Sequence, residues 1–342
     1  MKKKPVSIRN IADELKISIT SVSFILNGKS KEKHISKELT DKVLEYAKLV
    51  NYKPNQIAQS LRTGKSKILV FMVEDISNIF FSKVARIFED IIYDKGYKVI
   101  FCSNENNDEK SRELIDLFNF RQVDGFIIVP SPGIKDTIDG LIKENIPVIL
   151  LDRFFEELEC NSVGIDNLQA SYEATLHLIN NQFKNIGFVT TVSNQTQMRD
   201  RLAGYEKAIT DFGLKPNVLH IPCNEMFQVK KYLKKNLNGN LNLDAVFFAT
   251  NNLTQTALEV SKENNYNLVS HLGIMSFDDN DMFKIYPISI SCISQPLFEI
   301  STKLMELMLV LLNKEYVAES TQNIILKAEL IIRESTLRRN KI

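Results

Sequence analysis

The chain has 342 residues, of which 44% are hydrophobic and 25% charged, and this is the composition of a globular protein with two or three domains. Its four cysteines and four histidines are far apart and form no C-x-x-C pair, so neither a disulfide framework nor a metal site is predicted. No run approaches the roughly 18 apolar residues of a membrane-spanning helix, and no apolar signal segment follows the basic N-terminus. We therefore expect a cytoplasmic protein with no membrane partner.

The net charge of +1 combines two segments of opposite sign. Residues 1–65 carry 14 Lys and Arg against 6 Asp and Glu, or +8, and residues 66–342 carry 29 against 36, or −7. A basic head on an acidic body is typical of a polyanion-binding module joined to a second domain. A solvated lysine-rich surface is the alternative.

The first predicted helix follows Ser7, which is placed to cap it. Ile8, Ile11, Ala12 and Leu15 recur at i, i+3, i+4 and i+7, the spacing of one buried helical face.

A second short helix begins after the capping residue Ser18. Its apolar face comprises Val22, Ile25 and Leu26, with Ile19 at the edge, and its free face is formed by Thr20, Phe24 and Asn27. Only Lys16 and Ile17 separate it from the first helix. This spacing predicts a helix-turn-helix, and a helical hairpin from a small bundle is the alternative.

A third helix is predicted after the cap Ser36, and a short fourth segment follows Pro54. In this segment Ile57, Ala58 and Leu61 share one helical face. An isolated helix of about two turns is unstable in water, so it orders only when a partner holds it.

The motifs I-R-N-I-A, S-x-x-S-V-S-x-I-L-N-G and N-Y-K-P-N-Q-I-A-Q-S-L, within residues 5–64, closely resemble the DNA-binding head and hinge of lactose/galactose-repressor-type (LacI/GalR) transcription regulators. The resemblance implies a helix-turn-helix domain at residues 1–52 and a hinge helix with its linker at 53–65. In that family the second helix reads bases in the major groove, and paired hinge helices insert a leucine into the minor groove.

The resemblance also assigns roles to single residues of the head. It implies phosphate contacts by Ser7, Ser18, Asn27 and Ser36. It implies base reading by Ile19, Thr20 and Phe24. In the hinge it implies that Leu61 is the wedge, that Ala58 lies beside it, and that Asn55 and Arg62 lie near the DNA backbone.

Two positions depart from the family pattern. Phe24 stands where the family often has Arg, and its ring packs either against a thymine methyl or into a gap in the head, but it cannot make a bidentate contact to guanine. Lys16 stands where a Gly is usual, so a left-handed backbone there costs free energy.

From Lys67 onward, short apolar runs alternate with amphipathic helical stretches, which predicts an α/β body with parallel sheets. The predicted strands are 68–73, 98–102, 125–129, 147–151, 186–190, 245–249 and 273–277. The predicted helices include 80–95, 169–182, 198–212, 254–264 and 297–312.

Polar residues follow several of these strands, and ligands bind at the carboxyl ends of parallel strands. Carboxylates, amides and guanidinium groups together suit a ligand with several hydroxyls. The candidates are Asp75, Asp152, Arg153, Arg201, Asn251 and Asp278 with its neighbour Asp279.

The body also resembles the two-lobed, periplasmic-binding-protein-like effector domain of the same family, through R-L-A-G-Y at 201–205, A-T-N-N at 249–252, F-D-D at 277–279, I-S-Q-P at 293–296 and R-E-S-T at 333–336. The resemblance implies effector contacts by Asp152, Arg201, Asn251 and Asp278, with Phe80, Phe81, Gln295 and Phe227 as further candidates. It also implies that the chain crosses between lobes near residues 165, 294 and 323. Within an effector and dimerisation domain at 66–336, lobe 1 is then about 66–165 and 295–323, and lobe 2 about 166–294 and 324–336.

We therefore expect a homodimeric transcription regulator, a repressor by family default, whose affinity for double-stranded operator DNA is set by a small sugar or sugar-like effector between the lobes. No phosphate-binding glycine loop and no catalytic Ser/His/Asp or Cys/His set is present, so we expect no enzyme activity and no cofactor. The alternatives are a purine or nucleoside effector, a sugar carrier, or a sugar-metabolising enzyme with a DNA-binding head. The tail L-R-R-N-K-I has no leucine heptad, which predicts a dimer without a tetramerisation coil, associated with the nucleoid when bound to its operator.

Overall fold

The N-terminal helices begin at hydroxyl residues that cap them. The computed structural model describes residues 6–54, 60, 63–221, 229–231, 233–234, 242–263, 271–313 and 321–337. The first three helices are α1 (Ile8–Leu15), α2 (Ile19–Leu26) and α3 (Lys37–Leu49). The side chains of Ser7, Ser18 and Ser36 each accept a hydrogen bond from a backbone amide in the first turn, which confirms the predicted caps.

The turn between α1 and α2 depends on a left-handed residue. Lys16 has φ 53° and ψ 45°, and its backbone amide donates to the carbonyls of Ala12 and Asp13. Lys16 therefore adopts the left-handed conformation that a Gly at this position would adopt at lower cost. The three helices share a small core whose buried side chains are Ile11, Ala12, Val22, Ile25, Val43 and Ala47.

Residues 1–66 and 67–342 form two separate units, and the second unit is α/β. Its strands are β1 (Ile68–Val73), β2 (Lys98–Ser103), β3 (Gly125–Ile128), β4 (Val148–Leu151), β5 (Asn161–Ile165), β6 (Ile186–Thr191), β7 (Val218–Ile221), β8 (Ala245–Phe248), β9 (Gly273–Phe277), β10 (Ser291–Ser294), β11 (Asn323–Leu326) and β12 (Glu329–Ile331). Its helices are α4 (Ile79–Tyr93), α5 (Asp108–Phe120), α6 (Lys135–Lys143), α7 (Asn167–Asn180), α8 (Thr196–Asp211), α9 (Asn251–Glu263), α10 (Asp281–Ile285) and α11 (Leu297–Leu312).

Across the described residues, these strands form two six-stranded sheets, one in each lobe. The strand order is β11-β5-β4-β3-β1-β2 in the first lobe and β12-β10-β9-β8-β6-β7 in the second. Neighbouring strands are parallel, as predicted, except for the antiparallel pair of β10 and β12. The carboxyl ends of the parallel strands therefore meet at one edge of each sheet.

Within the described residues, the chain passes between the two sheets three times. It leaves the first sheet after β5, returns to it through α11, which packs against α4, and crosses again between β11 and β12. Asn323–Leu326 pairs with β5, so the third crossing follows Leu326, close to residue 323, near which the family resemblance implies it.

The C-terminal R-E-S-T segment is hydrogen-bonded to strands of the second sheet and to the segment after β9. The Ser335 hydroxyl donates to the Ile274 carbonyl at 2.6 Å, and the Thr336 hydroxyl lies 2.7 Å from that of Ser291. The Arg333 guanidinium donates to both carboxylate oxygens of Asp279, at 2.9 and 2.8 Å. The motif thus stabilises the second lobe.

Candidate functional site

A polar cavity of about 330 Å³ lies where the strand ends of the two lobes face each other. We call it the central cavity. First-lobe residues come from the segments after β1, β2 and β4, and second-lobe residues from those after β6, β7, β8 and β9. Its lining includes Phe80, Phe81, Asn106, Asp152, Arg201 and Asp278.

Arg201 of α8 is held in place on several sides. Its Nε donates to Asn167 Oδ1 at 2.9 Å, and its Nη1 donates to the Ala249 carbonyl at 2.9 Å. The guanidinium carbon lies 3.7 Å from the centre of the Phe277 ring, a cation–π contact. Arg201 is 3% exposed, so burial and these contacts fix the direction of its remaining donors.

Two carboxylates flank this guanidinium, one from each lobe. Asp152 Oδ1 is 3.9 Å from Arg201 Nη2, and Asp278 Oδ2 is 3.8 Å from Nη1. Both aspartates have left-handed backbones, with φ 69° and 67°, a conformation that Asp tolerates better than most residues. Gln295 Nε2 donates to Asp278 Oδ1 at 2.6 Å and orients that carboxylate.

Burial shifts the acidity of both carboxyl groups. It raises the pKa of Asp152 to about 6, although the positive charges of Arg201 and Arg153 act in the opposite direction. Burial likewise raises the pKa of Asp278. At neutral pH Asp152 is therefore mainly a carboxylate. A hydrogen bond donated by a ligand hydroxyl would stabilise this buried charge.

The aromatic side of the central cavity is formed by Phe80 and Phe81 at the start of α4. Their ring centres are 5.0 Å apart in an edge-to-face arrangement. Asp75 also lines the cavity but is exposed, and its carboxylate accepts hydrogen bonds from the amide and hydroxyl of Ser77. That carboxylate shapes a turn as well as facing the cavity.

Three predicted effector residues do not line the central cavity. Asn251 is buried and its Nδ2 lies 3.4 Å from Asn78 Oδ1 in the other lobe. Gln295 contacts Asp278 and lines a separate cavity of about 150 Å³. Arg153 lines two neighbouring cavities, and Phe227 lies outside the described residues.

Sequence reasoning missed several polar residues of the central cavity. Gln195, just before α8, donates to Asn106 Oδ1 at 2.8 Å and so joins the two lobes. Both residues follow strands, β6 and β2 respectively, and the rule that identified Asp152 could have identified them too.

The residues proposed to read bases lie on the free side of α2. Ile19 is 44% exposed, Thr20 is exposed, and Phe24 is half-buried with Lys33 Nζ 5.5 Å from its ring centre. Asn27 ends α2, and its Nδ2 donates to the Ser23 carbonyl at 2.6 Å. The hinge residues Asn55, Ala58, Leu61 and Arg62 lie outside the described residues.

The described part of the chain contains no helix long and apolar enough to cross a membrane. Nor does it bring together three or more His, Cys, Asp or Glu side chains that could hold a metal ion.

A helix-turn-helix head and a two-lobed domain with a polar cavity between its lobes define the class of DNA-binding transcription regulators that carry an effector domain. A family model described as periplasmic binding proteins and sugar binding domain of LacI family matches residues 65–333. The HTH-type transcriptional regulator RegA of Clostridium saccharobutylicum is 32% identical over 337 residues, covering 97% of this chain and 99% of the relative. The chain belongs to the LacI family of transcription regulators.

Two solved structures show the same fold. The lac repressor dimer bound to operator and the anti-inducer ONPF is 20% identical with a TM-score of 0.85, over 98% of this chain and 100% of that one. A periplasmic binding protein/LacI transcriptional regulator from Alkaliphilus metalliredigens QYMF, complexed with D-xylulofuranose, is 22% identical with a TM-score of 0.70, over 80% and 100% of the chains.

Proposed function

We propose that this regulator is a homodimeric repressor whose operator affinity is controlled by a small sugar or sugar-like molecule in the central cavity. It acts in the cytoplasm, at an operator of the nucleoid. The observation that carries the proposal is the buried Arg201 guanidinium between Asp152 of one lobe and Asp278 of the other.

This arrangement has the chemistry of a sugar site. The carboxylates accept hydrogen bonds from neighbouring hydroxyls, while the guanidinium and the amides donate to hydroxyl or ring oxygens. The apolar face of a sugar ring packs against Phe80 and Phe81. A cavity of about 330 Å³ is near the lower end of the size range for small-molecule sites, which favours a small sugar.

Control of DNA binding follows from the position of the cavity between two lobes. A ligand that contacts both lobes stabilises their closed arrangement, because only that arrangement offers all of its contacts. This change in lobe arrangement alters the pairing of the proposed hinge helices at residues 53–65. In the hinge, Leu61 is the proposed wedge, Ala58 is proposed to lie beside it, and Asn55 and Arg62 are proposed to lie near the DNA backbone. The coupling free energy between sugar binding and operator binding is typically about 1 to 3 kcal/mol. The sugar is an inducer if it weakens operator binding and a corepressor if it strengthens it.

We propose that the head reads its operator mainly through Ile19, Thr20 and Phe24, with Ser7, Ser18, Asn27 and Ser36 at phosphates. Phe24 is half-buried, and the exposed part of its ring is suited to packing against a thymine methyl. Two heads related by two-fold symmetry require a pseudo-palindromic operator.

The first experiment is thermal melting of the full chain with mono- and disaccharides, sugar phosphates and purines. A ligand that binds the folded state raises the melting temperature in a concentration-dependent way, and we expect a sugar to do so. Operator binding is then measured by fluorescence anisotropy with and without that sugar.

The variant Arg201→Lys tests the assignment of the site. Lysine cannot reproduce the bonds to Asn167 and Ala249 while stacking on Phe277, so we expect sugar affinity to fall at least about 30-fold, or about 2 kcal/mol. Arg86→Lys, at an exposed position of α4, is the matched control and should bind as the wild type does. If a purine is the only compound that raises the melting temperature, the effector is a nucleobase and not a sugar. Unchanged sugar affinity in Arg201→Lys would refute the site.

A further inference from the structure

Two exposed lysines lie at the amino ends of β1 and β2, the end of the first-lobe sheet that is opposite to the central cavity. Lys67 immediately precedes β1, and Lys98 is the first residue of β2. The two strands are neighbours, and the Lys98 amide donates to the Lys67 carbonyl at 2.9 Å. The two residues therefore lie side by side at one end of the sheet. We call them the lysine pair.

A tyrosine ring positions each ammonium group of the lysine pair. Lys67 Nζ is 4.1 Å from the centre of the Tyr97 ring, and Lys98 Nζ is 3.7 Å from the centre of the Tyr93 ring. A cation–π contact holds an ammonium group in place without cancelling its charge. The N–H groups that point away from the ring stay available to an acceptor.

No carboxylate neutralises the lysine pair within the described residues. Other lysines of the same lobe, Lys83, Lys110 and Lys135, are each paired with a carboxylate. By contrast, the described ranges of the chain place no carboxylate oxygen within 4 Å of the ammonium group of Lys67 or Lys98. Both charges are therefore open to a partner with negative charge.

The surroundings of the lysine pair are positive as well. The segments 67, 94–98 and 121–124 precede β1, β2 and β3 and contain four cations but only the carboxylates Asp94 and Asp124, although residues 66–342 as a whole are acidic. The other two cations, Lys95 and Arg121, follow the ends of α4 and α5, where the helix dipole favours a cation in any case. The lysine pair precedes strands and has no such explanation.

The chain enters the first lobe at this same end of the sheet. Six residues of sequence lead from Leu61, the proposed wedge of the hinge, to Lys67. A chain of this length spans at most about 22 Å. DNA that is bound by the hinge is therefore tethered close to the lysine pair.

We propose that the lysine pair contacts backbone phosphates of the DNA beside the hinge. The proposal rests on the proposed DNA-binding function and adds a contact surface in the effector domain to it. The ammonium groups donate to phosphate oxygens and displace counterions, so they contribute to affinity without reading the sequence.

The test measures DNA binding of the full chain by fluorescence anisotropy, with a duplex that the wild type selects from a random pool. Each phosphate contact contributes about 0.9 to the slope of log affinity against log salt concentration, and a dimer presents two copies of each lysine. We therefore expect Lys67→Gln/Lys98→Gln to have a slope less steep by about 2 to 4, and an affinity at least about tenfold lower at about 0.1 M salt. Lys67→Arg/Lys98→Arg keeps both charges and should retain the wild-type slope.

The second lobe supplies a matched control. Lys184 and Lys215 are exposed and precede β6 and β7, which have the same places in the second sheet as β1 and β2 have in the first. The linker from the head does not enter this lobe. Lys184→Gln/Lys215→Gln removes as much charge and should keep the wild-type slope.

Circular dichroism melting checks that the variants fold, and Lys98→Gln alone replaces the double variant if the latter does not. Equal slopes for the lysine-pair variant and the control variant would refute this contact and leave the DNA-binding function standing. If the wild type selects no duplex, the DNA-binding function itself is wrong, and this contact with it.

Discussion

Asp152 and Asp278 occupy the same kind of position in different lobes, each just after a strand and in a left-handed conformation. Their burial near each other is unfavourable for two negative charges, and Arg201 between them compensates only in part. Such a site is less stable than an apolar core of the same volume. It is nevertheless suited to a polar ligand, which supplies the missing hydrogen bonds on binding.

The raised pKa of Asp152, about 6 against an ordinary value of 3.8, predicts a pH-dependent stability. The folded state holds the proton more tightly than the unfolded state, so the contribution of Asp152 to stability is largest below pH 4 and falls as the pH rises to about 6. Asp152→Asn lacks this titration and is compatible with the left-handed backbone.

We therefore expect the stability of the wild type, relative to Asp152→Asn, to fall by about 2 kcal/mol between pH 4 and pH 7. The measurement is urea denaturation of both ligand-free proteins across that range. Parallel curves for the two proteins would show that the burial of Asp152 does not raise its pKa.

The positions of residues just after the predicted strands indicated which of them lie at the edge of the sheets. These positions did not indicate where the side chains point. Asp152, Arg201 and Asp278 do meet in the central cavity. Arg153 directly follows Asp152, and its side chain runs instead toward Glu74 beside β1. That direction depends on the left-handed turn at Asp152, which hydrophobic periodicity does not reveal.

At the scale of single elements, the turn between α1 and α2 carries a strain that one substitution relieves. Lys16 is exposed and left-handed, and its interactions in the turn are made by its backbone. Lys16→Gly should raise the free energy of unfolding of the head by about 1 kcal/mol. Lys42→Gly, in the middle of α3, is the control and should lower it by about 1 kcal/mol. Chemical denaturation of the two variants compares them, and a loss of stability in Lys16→Gly would refute the strain.

The close packing of α7 against α8 depends on Gly204 of the R-L-A-G-Y motif. A Cβ at this position would lie 2.2 Å from the Leu168 carbonyl oxygen, so Gly204→Ala must push the helices apart. We expect a loss of about 1 to 3 kcal/mol and a weaker effector affinity, since Arg201 is on α8. Gly140→Ala in α6 meets nothing within 4 Å and should instead be neutral or stabilising. Thermal melting separates the two outcomes, and equal melting temperatures would contradict the steric argument.

Apolar runs in the sequence identified the edge strand β2 and the central strands β1, β3, β4, β6, β8 and β9, but missed β5, β7, β10, β11 and β12. Most of these lie at or near a sheet edge, where fewer apolar side chains are needed. The strand β10 is different, because its Ser291 is buried and satisfied by Ser335 and Thr336 from the end of the chain. Its Cys292 and Ile293 are buried as well, but serines flank them, so the segment contains no continuous apolar run of the kind that identified the other strands.

At the scale of the whole effector domain, its two lobes are joined by polar contacts around the central cavity. Lys83 Nζ of α4 lies 2.8 Å from Asp281 Oδ2 of α10, and Glu156 pairs with Arg199 across the same gap. Such exposed pairs contribute about 0 to 1 kcal/mol each, too little to hold the lobes permanently closed. They are therefore suited to an equilibrium between open and closed lobes that a ligand shifts.

The variant Lys83→Met breaks one of these contacts and keeps the length of the side chain. The closed arrangement then loses up to about 1 kcal/mol relative to the open one, so the affinity for the sugar should fall by up to about fivefold. The melting temperature of the ligand-free protein should change little, because the pair is exposed.

The control Lys303→Met breaks an equally short pair with Glu306 inside α11, which does not connect the lobes, and its sugar affinity should equal that of the wild type. Calorimetric titration at about 0.05 M and about 0.5 M salt should bring wild type and Lys83→Met together at the higher salt, because screening weakens the pair. Equal affinities of Lys83→Met and Lys303→Met at low salt would mean that this contact does not favour closure.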